Sequence, residues 1–175
     1  MNCSIAQITH RLTGPRHELS CSTSLWRRLI AKLRERGRNH SRESGAFLLG
    51  RPHDAHTRIV DFVLYDDLDP HALDTGIIRL DGRYFGALWE ECRRRKLGVV
   101  GDIHVHPGGA GQSRSDREHP MISRAGHFAM ILPDFARGSI RVEDVGIYRY
   151  LGRKLWHTVP PSVRPSILHI ECRAS

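Results

Sequence analysis

From Ser24 to about Arg38, apolar residues recur at helical spacing. Leu25, Trp26, Leu29, Ile30 and Leu33 share one face and arginines fill the other, which predicts an amphipathic helix. The hydroxyls of STS (22–24) can cap it, and GRNHSRES (37–44) ends it. GAFLLG (45–50) then reads as a short buried strand, with the alternating RIVDFVLY (58–65) as its hairpin partner. The polar loop DDLDPHALDTG (66–76) leads to a second helix over 81–96, capped by Asp81, with Tyr84, Phe85, Leu88, Trp89 and Cys92 along one side. LGVVGDIHVH (97–106) is a strand that stops at Pro107, and a short helix is expected to begin near Asp116. HFAMILPD (127–134) is a further strand, and DVGIYRYL (144–151) with KLWHTV (154–159) makes a closing antiparallel pair. Residues 1–20 read as irregular with room for one short strand, while prolines break PPSVRPSILHIECRAS (160–175). The order implies a mixed α/β sheet packed against a few helices, one domain over 1–160 with a C-terminal tail over 161–175.

Composition narrows the class. A chain of 175 residues can bury a real core. Its longest apolar runs fall far short of the ~20 residues that span a bilayer, so no membrane association is expected. No basic start followed by an apolar block opens the chain, which points to the cytoplasm. Cys3, Cys21, Cys92 and Cys172 are scattered without a CxxC pair, as expected of isolated thiols. The net charge of +8 invites nucleic acid as a partner. Yet the basic runs lie in amphipathic helices, where charge marks a solvated face, and no nucleic-acid-binding motif accompanies them. Nucleic acid is therefore not the expected partner.

The chemistry concentrates in GDIHVHPGGAGQSRSD (101–116). Side chains alternate along a strand, so His104 and His106 project to one side and Ile103 and Val105 into the core. Flexible GGAG can fold the chain back over the strand end, returning Asp116 to the histidines as a third metal ligand. Two nitrogens and one carboxylate oxygen leave an open fourth position, the arrangement of a catalytic zinc site. Such a site needs a base and an oxyanion donor. Glu43 suits the base and is otherwise a solvated glutamate at a strand entrance. Ser113 suits the donor and is otherwise a loop or helix-capping serine, with Ser115 a competing cap.

ESGAFLLG, about sixty residues ahead of HVHPGGAGQSRSD, resembles the JAMM motif of the JAB/MPN metallopeptidase family. The shared elements are a glutamate before an apolar strand, HxHP, a loop, and SxxD. The resemblance spans roughly residues 24–150, and the loop before Ser113 is one residue shorter than the family's usual spacing. It implies a cytidine-deaminase-like α/β fold with a mixed, largely antiparallel sheet flanked by helices. It also implies zinc held by His104, His106 and Asp116, Glu43 as general base and Ser113 as oxyanion donor. The implied activity is deubiquitinase-like: hydrolysis after the C-terminus of ubiquitin or a ubiquitin-like protein. Activating and conjugating enzymes are then implied associates, in a prokaryotic modification or antiviral system. The loop YDDLDPHALDTGIIRLDG (65–82) reads equally as a substrate-gripping element and as a plain connection. A non-catalytic MPN scaffold and a basic DNA-associated MPN-type protein are the alternatives.

Overall fold

A computed structural model describes residues 17–37, 41–53, 56–76 and 78–171. Residues 1–16, Cys3 among them, and Cys172 lie outside the described residues. The strands are β1 (Leu19–Ser22), β2 (Gly45–His53), β3 (His56–Leu64), β4 (Gly98–Val105), β5 (Phe128–Leu132), β6 (Gly146–Gly152), β7 (Leu155–Thr158) and β8 (Leu168–Glu171). The helices are α1 (Thr23–Arg36), α2 (Tyr65–Leu68), α3 (Phe85–Arg95), α4 (Arg114–Glu118) and α5 (Arg164–Ile167). The strands form one sheet in the order β7-β6-β5-β4-β2-β3-β1-β8. Pairs β2–β3, β2–β4, β5–β6 and β6–β7 are antiparallel; β1–β3, β1–β8 and β4–β5 are parallel. Among the described residues, no helix is long and apolar enough to cross a membrane.

The core forms on both sheet faces. Helix α1 starts where Ser22 accepts the Leu25 N–H at 3.2 Å, and it buries the five apolar residues that its spacing aligns. They pack against Ala46, Leu48, Ile103 and Val105. On the other face Phe47 and Leu49 meet Tyr65, Leu73, Leu88 and Cys92. Burial on both sides explains why GAFLLG is a continuous apolar run. Helix α3 buries Leu88 and Cys92 but leaves Trp89 39% exposed, so its buried stripe is narrower than its spacing suggests. Asp81 caps a short 3-10 turn, Gly82–Tyr84, that leads into this helix.

The structure sharpens two expectations: the segment read as a C-terminal tail joins the sheet, and the short helix near Asp116 is present. In the segment read as a tail, β8 pairs in parallel with β1, and Leu168 is fully buried. The prolines that hid this segment sit in the turn and helix before the strand. Helix α4 begins at Arg114, two residues ahead of Asp116, because Ser113 is its cap.

Candidate metal centre

The histidine strand lies mid-sheet, between β2 and β5. Asp102, His104 and His106 alternate onto one face, and the imidazoles converge with Nε2 atoms 2.9 Å apart. At that separation the two nitrogens either share a proton or share a cation. Asp116 joins them with Oδ1 3.6 Å from His104 Nε2 and Oδ2 3.4 Å from His106 Nε2. A tetrahedral zinc with ligands at 2.0–2.2 Å would space them by about 3.3 Å, so the donor set fits such an ion. The three ligand-type residues form the one such group among the described residues.

Glu43 reaches the same point from the start of β2, its Oε1 3.8 Å from His106 Nε2. Its neighbours explain the placement. Ser44 is fully buried, with its hydroxyl donating to the Leu33 carbonyl of α1 at 2.6 Å and its own carbonyl accepting the Val105 N–H at 3.0 Å. Gly45 pairs with His104, and a Cβ there would lie 2.4 Å from the Tyr65 ring and 2.9 Å from the Ile103 carbonyl oxygen. ESG is thus a glutamate followed by two residues that pin the strand start between α1, α2 and β4.

On the other side, Ser113 and Asp116 cap α4 reciprocally. The Ser113 hydroxyl accepts the Asp116 N–H at 3.2 Å, and Asp116 Oδ2 accepts the Ser113 N–H at 2.6 Å. A hydroxyl that accepts a hydrogen bond still has its own proton to donate, so capping leaves Ser113 free to serve an oxyanion. Glu43, His104, Ser113 and Asp116 all line a cleft of about 750 Å³, together with Ile78, Arg79 and Leu80 of the 65–82 loop.

The charges are mutually tuned. Burial raises the Glu43 carboxyl, with the nearby imidazole of His106 opposing and Asp116 adding to the rise. Burial lowers the deep His104 imidazole. For His106 burial works downward, but the Asp116 carboxylate and then Glu43 outweigh it and raise the group. Burial works upward on Asp116, and the two histidines with the Ser113 hydrogen bonds overcome it, holding the carboxyl well below its usual range. Part of the charge on the basic helices is paired within the fold: Arg28 and Arg95 pair with Asp61, Lys32 with Glu35, Arg36 with Asp66 and Asp67, and Arg94 with Glu91.

Residues 22–133, which contain every group above, match the family described as prokaryotic homologs of the JAB domain. The chain belongs to that family. A relative by sequence, "Probable metalloprotease y4jG" of Sinorhizobium fredii, is 30% identical over 77 residues, covering 44% of this chain and 48% of that protein. The match thus spans about half the relative's length. Among solved structures, protein DSY2949 of Desulfitobacterium hafniense superposes with a TM-score of 0.60 at 15% identity, covering 87% of this chain and 94% of the other. A Salinibacter ruber protein superposes with a TM-score of 0.51 at 17% identity, covering 80% and 88%. These two likenesses concern the fold alone.

Within this JAB domain the structure adds residues that sequence reasoning missed. Buried His127 donates from Nε2 to Asp102 Oδ1 at 2.6 Å, directly behind His104 on the strand. Strand alternation could have flagged Asp102; nothing local could have flagged His127. The loop glycines also act differently than expected. None of Gly108, Gly109 and Gly111 has a left-handed backbone, and a Cβ on any of them would meet nothing within 4 Å. The close approach falls instead on Gly146 in β6, where a Cβ would lie 2.0 Å from the Ala110 carbonyl oxygen.

Proposed function

We propose that this protein is a zinc-dependent peptidase or isopeptidase that cuts after the C-terminus of a ubiquitin-like protein. The observation that carries the reading is the convergence of His104, His106 and Asp116 with Glu43 3.8 Å from the nearer imidazole, where Glu43, His104 and Asp116 line one cleft. His104, His106 and Asp116 are the residues that would hold the ion. When bound, zinc acidifies water toward a pKa of ~7 and polarises the scissile carbonyl.

The remaining steps belong to the chain. Glu43, its carboxyl raised chiefly by burial, takes the proton of the attacking water and delivers it to the leaving amine. The Ser113 hydroxyl donates to the oxygen that becomes negative. Ile78 and Leu80 offer an apolar rim for an extended C-terminal segment, and this gives the 65–82 loop its substrate-gripping role. The family membership and the relative's name support peptidase chemistry in general. The ubiquitin-like substrate, any activating or conjugating partner, an antiviral setting and a cytoplasmic location are part of the proposal. The scaffold alternative is disfavoured by the complete donor set. The DNA-associated alternative is disfavoured by the internal pairing of the basic helices.

The test is to measure zinc in the purified protein and assay cleavage of ubiquitin-like fusions. Wild type should carry about one zinc and cleave, with turnover falling about 10²–10⁴-fold in Glu43→Gln at unchanged zinc content. Unaltered cleavage in Glu43→Gln or His104→Ala would sink the mechanism.

A further inference from the structure

The loop that delivers Ser113 and Asp116 is fastened from outside the metal centre. The Ala110 carbonyl lands on β6, where the Tyr148 hydroxyl donates to it at 2.7 Å. It occupies the space in which a Gly146 side chain would begin. Gly146 does not have a left-handed backbone, so its missing side chain serves close approach alone. Tyr148 is buried and packs with Ala129, Ile131, Ala110 and Trp156. Burial raises its phenol, so it remains a donor at neutral pH. A second tether follows: Trp156 Nε1 of β7 donates to the Arg117 carbonyl at 3.2 Å, and Arg117 donates back to the Gln112 carbonyl at 3.0 Å.

These tethers matter because α4 is only five residues long and cannot hold its own position. A flexible ten-residue segment has a root-mean-square span of roughly 17 Å. Asp116 must nonetheless stay 3.4–3.6 Å from two imidazoles. Something outside the loop has to remove that freedom.

We infer that Gly146 and Tyr148 are positioning residues: they fix where the 107–113 loop lands, and through it where the Ser113 hydroxyl and the Asp116 carboxylate stand against His104 and His106. This rests on the metal-centre reading above. It also accounts for the short loop, whose middle residue is anchored on a neighbouring strand instead of being left to glycine flexibility.

The experiment uses the full chain and zinc alone, with affinity measured by competition against a chromophoric chelator. Tyr148→Phe keeps the ring and removes only the O–H. It should weaken zinc roughly tenfold, the low end for groups that support metal ligands. The melting temperature of the zinc-free protein should stay unchanged. Gly146→Ala should weaken zinc further, because the Ala110 carbonyl must move. Leu151→Ala, on the same strand but 54% exposed, should bind zinc within about twofold of wild type. Wild-type affinity in Tyr148→Phe would overturn the inference. So would a loss of zinc affinity matched by a lower melting temperature of the zinc-free protein, which would mean general damage to the sheet. A wild-type chain that takes up no zinc would overturn the metal-centre reading and this inference together, a result distinct from either of those.

Discussion

His104 stands on β4 in the middle of the sheet and His106 just past its end, whereas Asp116 stands on a single helical turn. The strand pair inherits its geometry from hydrogen-bond register: β4 is flanked by β2 and β5, and Ile103 and Val105 anchor it from the opposite face. The helix-borne ligand has no such frame. It is placed by a reciprocal cap and by tethers from β6 and β7. A preformed half and an assembled half thus meet at one point, and they should fail differently.

The largest effect is expected on the preformed half. His104→Ala should weaken zinc by more than about a hundredfold, beyond the loss seen for groups that merely support ligands. The fold should persist, checked by zinc titration alongside circular dichroism. Next comes the assembled half. Ser113→Ala should lower kcat by about 10²–10³-fold if the hydroxyl serves the oxyanion. Ser113→Gly separates that role from capping, because glycine loses only a few tenths of a kcal/mol as a cap whereas alanine loses about 1 kcal/mol. Equal kcat losses in the two variants would assign the effect to the oxyanion, and a loss confined to alanine would assign it to the cap.

Stability should show the same asymmetry. Gly45→Ala pushes a Cβ to 2.4 Å from the Tyr65 ring and should cost about 1–3 kcal/mol by denaturant unfolding. In the zinc-free protein Asp116 is held below its usual range, so it contributes stability above the unfolded value near 3.9. That contribution disappears as the pH falls through the folded value. Asp116→Asn should therefore flatten the acid limb of the stability profile while changing little at pH below that range. The smallest effect belongs to Glu118→Gln, which breaks the exposed pair with Arg114 and should change stability by at most about 0.5 kcal/mol.

The preformed half was also the legible half. HVH in an apolar strand prescribes two imidazoles on one face, and GAFLLG prescribes a doubly buried neighbour. Glu43 could be named as a base from its place before an apolar strand, and family resemblance favoured it over a solvated glutamate; the structure adds how Ser44 and Gly45 pin it. Ser113 and Ser115 competed as caps because both precede Asp116; the Asp116 carboxylate decides for Ser113 by returning to its N–H, which leaves Ser115 inside α4. Gly146, Tyr148 and His127 were invisible because their roles exist only across strands. β8 was hidden because its partner, β1, lies nearly 150 residues away, beyond any local pattern.

One carboxylate has two employers. Asp116 Oδ2 both closes the first turn of α4 and faces His106, and α4 is one side of the cleft. A zinc at this point would rivet a marginal turn to the rigid sheet. A chelator would then do more than remove a Lewis acid: it would unfasten a wall of the channel. Chelator-treated protein should accordingly become cleavable by trypsin at Arg114 or Arg117 first, before the sheet itself is attacked.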